Sequence, residues 1–123
     1  MGARINYVFN DGTSQAVALY SHWGETEWES SIAHAIWMAK PRWSDSSYAT
    51  RIIVSQLINE DWNSETGFGL FAVDPQNTNL WDFTVEIDMV NKQIDGHSFE
   101  EFCQYHLGQE LLDKLGFRIP QNA

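Results

Sequence analysis

Two arginines and two aromatic residues share one short stretch of this chain. Arg42 and Trp43 come just before a predicted helix, and Tyr48 and Arg51 fall about one turn apart in its first half. The chain has only 7 basic residues and a formal net charge of -10. Guanidinium groups match the paired oxygens of phosphates and carboxylates, while indole and phenol rings stack on flat ligands. The stretch therefore predicts a binding surface for an anionic, planar ligand such as a nucleotide.

A second group of candidate residues ends the second predicted strand, at residues 20–23. His22 can form a hydrogen bond with a ligand, and Trp23 can stack on one. We expect the fold to join this strand end to the stretch that contains the two arginines. The predicted ligand-binding residues are His22, Trp23, Arg42, Trp43, Tyr48 and Arg51.

The same residues also have a structural interpretation, and the sequence leaves both open. Arg51 can pair with Asp45 or Asp82, and Trp23 and Trp43 can close the bottom of the core. The binding interpretation rests on the scarcity of arginine in an acidic protein. Two of the few arginines lie in this one stretch, beside aromatic rings.

Catalytic chemistry has weaker support. His22 ends a strand where loops gather, and its unperturbed pKa is close to neutrality, so it is the best candidate for general acid-base work. A lone histidine at a strand end is nevertheless more often a structural residue. Cys103 lies in an apolar helical pattern without the context of a catalytic cysteine, which predicts core packing. We expect a protein without enzymatic activity, with a small hydrolase or nucleotide-modifying enzyme using His22 as an alternative.

Sequence motifs for cofactors and metals are missing. No phosphate-binding glycine loop or dinucleotide fingerprint precedes a helix, and Gly67 and Gly69 lie inside a strand pattern, where close strand packing explains them. The histidines fall in four separate predicted elements rather than at the short spacing of metal ligands. They are His22, His34, His97 and His106. We therefore expect no cofactor and no metal.

The acidic composition limits the partners of the protein. With 17 acidic residues against 7 basic ones, direct nucleic-acid binding and attraction to anionic membranes are not expected. No apolar run is long enough to span a bilayer. The single Cys103 cannot form an internal disulfide, so we expect a cytoplasmic protein.

Alternating apolar residues predict the strands. They flank Asp11-Gly12, which indicates a β-hairpin, and they recur in residues 67–73 and 81–88. A short edge strand is predicted at residues 93–95. The strand at 81–88 has the clearest alternation, and the side away from its apolar residues is acidic. That acidic face consists of Asp82, Glu86 and Asp88.

Helical spacing of apolar residues predicts the rest of the fold. Two helices cover about residues 28–39 and 46–58, and Asp45 can cap the second of them. A last helix follows Ser98 and Glu101, which match a capping box. The order is β-β-α-α-β-β-(β)-α. We expect a single α+β domain over residues 1–123, with an antiparallel sheet of four to five strands and helices packed on one face.

Three blocks of sequence resemble a family of small uncharacterised proteins from bacteriophages and bacterial genomes. The blocks are Leu19-Tyr20-Ser21-His22-Trp23-Gly24, Arg42-Trp43-x-Asp45-x-Ser47-Tyr48-x-x-Arg51-Ile52 and Thr66-Gly67-Phe68-Gly69-Leu70. The helix after Ser98 is not part of the pattern. The resemblance implies a phage-type protein that acts by binding in the host cytoplasm. It would either block a host defence protein or sequester a nucleotide signal, as sponge proteins do.

Two binding hypotheses follow. The leading one is a non-enzymatic, homo-oligomeric protein that holds a small anionic, nucleotide-like ligand. The second is an acidic interaction protein whose acidic strand face docks on a basic host protein or mimics nucleic acid. The first depends on the arginines, and the second on Asp82, Glu86 and Asp88.

Overall fold

The computed structural model describes residues 4–22, 27–77, 80 and 83–115. These residues form six strands and four α-helices, which confirms the α+β class. In chain order the elements are β1 (Ile5–Asn10), β2 (Ala16–Ser21), α1 (Trp28–Met38), α2 (Ser46–Ile58), β3 (Phe68–Val73), β4 (Phe83–Asp88), β5 (Gln93–Ile94), β6 (His97–Ser98), α3 (Phe99–Leu107) and α4 (Gln109–Leu115). Short 3₁₀ turns at residues 40–42 and 59–63 follow the first two helices. Trp81 and Asp82, predicted to begin the fourth strand, lie outside the described residues.

The sheet is mixed, so the prediction of an antiparallel sheet is wrong. Its strand order is β3-β2-β1-β4-β5-β6. All neighbours run antiparallel except β1 and β4, which are parallel, with Ile5 opposite Phe83 and Asn10 opposite Asp88. The chain crosses the sheet after β3 and adds β4 beside β1. Hydrophobic alternation reveals which face of a strand is buried, but neither its neighbour nor its direction.

The strand count also exceeds the predicted four to five. Beyond the predicted short edge strand, the chain turns back through Asp95 and Gly96 and adds β6. Both turn residues have positive φ, 53° and 79°. An Asp-Gly pair accepts this conformation readily, as in the two-residue turns of β-hairpins.

The predicted last helix is two helices. Its start is confirmed, because the Ser98 hydroxyl accepts a hydrogen bond from the Glu101 amide at 3.1 Å and the Glu101 carboxylate accepts one from the Ser98 amide at 3.1 Å. The helix stops at Gly108, whose φ of 83° is incompatible with a right-handed helix. Gln109 then begins α4.

The helices cover one face of the sheet. Ile5, Tyr7 and Phe9 alternate along β1 toward this layer, and all three are buried. Helix α1 packs between α2 and α3. The helical residues of this core include Ile32, Ile36, Ile53, Phe99, Phe102 and Cys103.

The opposite face of the sheet has a smaller cluster. Val8, Ala16 and Ala18 are buried there, and Val73 and Leu80 pack against them. Among the described residues, no helix contributes to this cluster. Leu80, which lies between β3 and β4 in the chain, therefore helps to cover this face.

The two ends of the sheet determine where the candidate site residues lie. We call the end that holds Ile5, Ser21, Phe68 and Phe83 the upper end, since these residues are level in the strand pairing. Helix α1 begins at this end, as the distance of 5.4 Å between the rings of Trp28 and Phe83 shows. The opposite end is the lower end. Eleven helical residues at 1.5 Å each carry the chain about 16 Å toward it.

The lower end is where α1, α2 and α3 meet. The ring of Trp43, just after α1, lies 5.3 Å from that of Phe99 at the start of α3. Phe99 in turn donates its amide to the Lys92 carbonyl, in the turn beyond β4. Lys40 pairs with Glu100 at 3.7 Å across the same junction. Among the described residues, no helix is long and apolar enough to cross a membrane.

Candidate functional site

Arg42 and Tyr48 meet at the lower end of the helical layer. The guanidinium carbon of Arg42 lies 5.1 Å from the centre of the Tyr48 ring. Tyr48 is 54% exposed, so a cation-π contact here contributes only about 0.5–1 kcal/mol. The two side chains form a half-open surface that presents a cation beside an aromatic ring.

Asp45 shapes this surface through the backbone. Its carboxylate accepts a hydrogen bond from the Tyr48 amide at 3.3 Å, which confirms the predicted cap of α2. This cap fixes the start of the helix and therefore the position of the Tyr48 ring relative to Arg42. The Asp45 carboxylate therefore accepts a hydrogen bond from the first turn of α2.

Arg51 lies one turn further along α2 and is exposed. Its Nη1 is 3.5 Å from the Ser55 hydroxyl. Within the part of the chain that the structure describes, neither Arg42 nor Arg51 forms an ion pair. Pairing of Arg51 with Asp45 is therefore not seen, and Asp82, the other predicted carboxylate partner, is outside the described residues.

Trp43, which follows Arg42 in the chain, packs against the core of the helical layer. Its indole Nε1 donates a hydrogen bond to the Ile36 carbonyl at 2.8 Å. Its ring makes edge contacts with Trp37 and Phe99, at 6.2 and 5.3 Å between ring centres. Since the indole N–H and the ring already have partners, the structural interpretation describes Trp43 better than ligand stacking does.

His22 lies at the upper end, away from Arg42. Its amide donates to the Gly67 carbonyl at 2.9 Å, and its Nδ1 lies 3.2 Å from the Tyr20 hydroxyl. Strand β2 delivers the chain to the upper end, whereas the junction of α1 with α2 is at the lower end. The length of α1 therefore separates His22 from Arg42. Trp23 lies outside the described residues.

The predicted site is thus divided. The structure brings Arg42 and Tyr48 together and adds Arg51 on the next turn, while Trp43 contacts Trp37 and Phe99. It does not bring His22 to this group. The ligand-binding role of these residues stays a prediction, now centred on what we call the cationic corner, formed by Arg42, Tyr48 and Arg51.

Two cavities that the sequence did not predict flank the β5–β6 hairpin. One, of about 430 Å³, is lined by Trp28, Phe83, Thr84, Val85, Glu86, Asp88, Gln93, Ile94, Asp95 and Gly96. The other, of about 490 Å³, is lined by Asp95, His97, Glu101, Phe102, Tyr105 and His106. The Asp95-Gly96 turn was the available signal, because an Asp-Gly pair after a short strand indicates a hairpin.

Two acidic residues of β4, Glu86 and Asp88, accept hydrogen bonds within the fold. Glu86 accepts a hydrogen bond from the Asn10 amide group at 2.8 Å. Asp88 accepts bonds from the backbone amides of Val90 and Asn91. Burial acts to raise the pKa of Asp88, but these hydrogen bonds and the charge of Lys92 outweigh it and lower the pKa. Asp88 therefore holds the turn after β4 as an anion.

The remaining candidates for chemistry are structural. The Cys103 thiol is fully buried and donates to the Ala33 carbonyl at 3.3 Å, which confirms its predicted core packing. Burial raises the pKa of Cys103 to about 12, so the thiol is neutral. Among the described residues, no group of three His, Cys, Asp or Glu could hold a metal ion. At Gly69 a Cβ would meet nothing within 4 Å, so close strand packing does not explain that glycine.

The comparisons with known proteins give no match: no family model, no curated protein and no solved structure matches this chain. The resemblance to the family of bacteriophage and bacterial proteins therefore stays a prediction.

Proposed function

We propose that this chain is a non-enzymatic binding protein whose cationic corner holds an anionic, nucleotide-like ligand. One observation carries the proposal. Arg42 and Arg51 keep their guanidinium groups out of ion pairs with every described carboxylate, in a chain with 17 acidic residues. Both groups are therefore available for charge-assisted hydrogen bonds to an incoming anion.

Each residue of the corner has a distinct role in this proposal. Arg42 and Arg51 bind phosphate oxygens, and the exposed ring of Tyr48 stacks on the base. Trp43 and the Asp45 cap hold the two helical segments in place. In a phage-type protein this activity would sequester a nucleotide signal in the host cytoplasm and so counter a host defence protein.

Isothermal titration calorimetry with a panel of cyclic nucleotides and ADP-ribose tests the proposal. Loss of one charge-assisted contact costs about 1.5–3 kcal/mol, so Arg42→Ala and Arg51→Ala should each weaken binding about 10- to 100-fold. Arg4→Ala is the matched control, because it removes an exposed guanidinium elsewhere. Absence of binding to every member of the panel, or equal losses in all three variants, would refute the proposal.

A second candidate function uses the acidic residues. Glu86, Asp88 and Asp95 line one cavity together with the rings of Trp28 and Phe83. Carboxylates beside aromatic faces suit a cationic side chain, through ion pairing and cation-π contact. This arrangement supports an interaction protein that docks on a basic host partner, with Asp95 added to the predicted Glu86 and Asp88.

Charge reversal distinguishes the two functions. Glu86→Lys combined with Asp95→Lys should abolish a salt-sensitive complex with a basic partner, while Arg51→Ala leaves it intact. Asp88 is left unchanged because it holds the turn after β4. Pull-down from host lysate at low and high salt, followed by titration of the purified partner, provides the measurement. Retention of the complex by the charge-reversed variant would exclude this function.

A further inference from the structure

Strand β3 forms one edge of the sheet, and its outward backbone groups can be identified. The His22 amide bonds to the Gly67 carbonyl, and in an antiparallel pair such hydrogen-bonded positions recur every second residue. Gly67, Gly69, Phe71 and Val73 therefore direct their backbone groups toward β2. The N–H and C=O groups of the three residues between them point away from the sheet. These residues are Phe68, Leu70 and Ala72.

Within the described residues, this edge lacks the usual protection against strand pairing. Proteins shield edge strands with charges, prolines, bulges or short length. The other edge follows that rule, since β6 has only two residues. Strand β3 has six residues without charge or proline, and Leu70 is 60% exposed. Such an edge is expected to have a partner.

We propose that two copies of this chain pair through β3, antiparallel, around a two-fold axis at Leu70. Leu70 then faces the partner's Leu70, and Phe68 faces the partner's Ala72. All three outward positions become hydrogen-bonded pairs in this register. The result is a closed dimer with a continuous sheet of twelve strands, six from each copy.

Three features favour a second copy over another partner. The outward groups lie at alternate positions centred on Leu70, so the edge is complementary to itself. Leu70 and Ala72 are exposed on the same face, so Leu70 would cover the apolar surface of the partner's Leu70, and Ala72 that of the partner's Phe68. The flanking carboxylates also avoid each other, since in this register Asp74 lies opposite the partner's Thr66, and Glu65 opposite the partner's Pro75.

The dimer should be weak and strengthened by salt. One pair of six-residue strands buries less than the roughly 1,600 Å² of a standard interface. Each copy also has a net charge of -10, which opposes association. Salt shortens the Debye length from about 10 Å at 0.1 M to about 3 Å at 1 M and so reduces this repulsion. The pairing does not depend on the proposed ligand.

Sedimentation velocity between about 1 and 500 µM tests the proposal, because a weak dimer shows there as a concentration-dependent shift. The mass should rise from 14.1 kDa toward twice that value. Leu70→Lys places two like charges at the axis and should abolish the rise. Tyr105→Lys, at an 84% exposed helical position, is the matched control. A monomer at every concentration, or a dimer that persists in Leu70→Lys, would overturn the proposal.

Cysteine cross-linking tests the register itself. Hydrogen-bonded partners in an antiparallel pair have Cα atoms about 5.5 Å apart, within disulfide range. Leu70→Cys should therefore form a disulfide-linked dimer rapidly under mild oxidation. Tyr105→Cys, at a more exposed position, should do so only at the slow rate of random collision, and Phe71→Cys, off the axis, should also be slow. Equal rates for Leu70→Cys and Tyr105→Cys would exclude this pairing. Fastest linking through Phe71→Cys would place the two-fold axis at residue 71 and so overturn the register centred on Leu70.

Discussion

Trp43 and Tyr48 show how two aromatic residues five positions apart take opposite roles. The Trp43 indole bonds to the Ile36 carbonyl and packs between Trp37 and Phe99. The Tyr48 ring is exposed and lies beside the guanidinium of Arg42. The first holds three helical segments together, while the second offers its face to solvent.

This difference predicts opposite phenotypes for the two alanine variants. Trp43→Ala should lower the free energy of unfolding by about 3 kcal/mol, because it removes packed surface and leaves a cavity. Tyr48→Ala should change it by no more than about 0.5 kcal/mol, yet weaken ligand binding. Urea denaturation and calorimetry on both variants provide the measurements. Equal destabilisation by the two variants would contradict these roles.

At the residue scale, the sequence predicted which residue types would form a binding surface better than it predicted where each residue would lie. The types and spacing of Arg42, Tyr48 and Arg51 predicted a cationic, aromatic surface, and the structure groups them. The same reasoning added His22, which α1 separates from Arg42. A spacing along one helix is local information, whereas the meeting of a strand end with a distant loop depends on the whole fold.

At the scale of elements, side-chain hydrogen bonds determine where helices begin. Ser98 and Glu101 form both hydrogen bonds of the capping box at the start of α3. Ser98→Ala should therefore cost about 1 kcal/mol of unfolding free energy, since it leaves an amide of the first turn without its partner. Ser31→Ala, at an exposed position inside α1, is the control and should change stability little. If Ser98→Ala loses no more unfolding free energy than the control does, the cap contributes nothing to stability.

Elements were predictable where local chemistry decides them. The hairpin at Asp11-Gly12, the Asp45 cap and the start of α3 all follow from short-range preferences. The break at Gly108 was not predicted, because glycine occurs inside helices as well as at their ends. The parallel pairing of β4 with β1 was beyond local rules, since it depends on where a nine-residue connection crosses the sheet.

At the scale of the whole molecule, Cys103 reports on global unfolding. Its thiol is fully buried between α3 and α1. Iodoacetamide at pH 8 should therefore modify the folded protein far more slowly than the chain in denaturant, because a neutral, enclosed thiol reacts only after opening. Mass spectrometry over time provides the measurement. Alkylation at the rate of the unfolded chain would contradict the packing described for this residue.

The same group predicts how stability changes at alkaline pH. Burial raises the folded pKa of Cys103 from the ordinary 9.0 to about 12, so its contribution is complete below pH 9 and is lost as the pH rises toward 12. Burial, with the charge of Glu29, also raises the pKa of Tyr7 from 10.0 to about 12. Cys103→Ala should therefore flatten the alkaline loss of stability without removing it, as denaturation at successive pH values can measure.

The parallel pairing of β1 with β4 has a consequence for synthesis on the ribosome. Strand β1 leaves the exit tunnel before β2, α1 and α2, which follow in turn. Its other side stays open until residues 83–88 emerge, which takes several seconds at roughly 5–20 residues per second. During that interval the nascent chain exposes the unpaired side of β1, so we expect chaperones to bind it before β4 emerges.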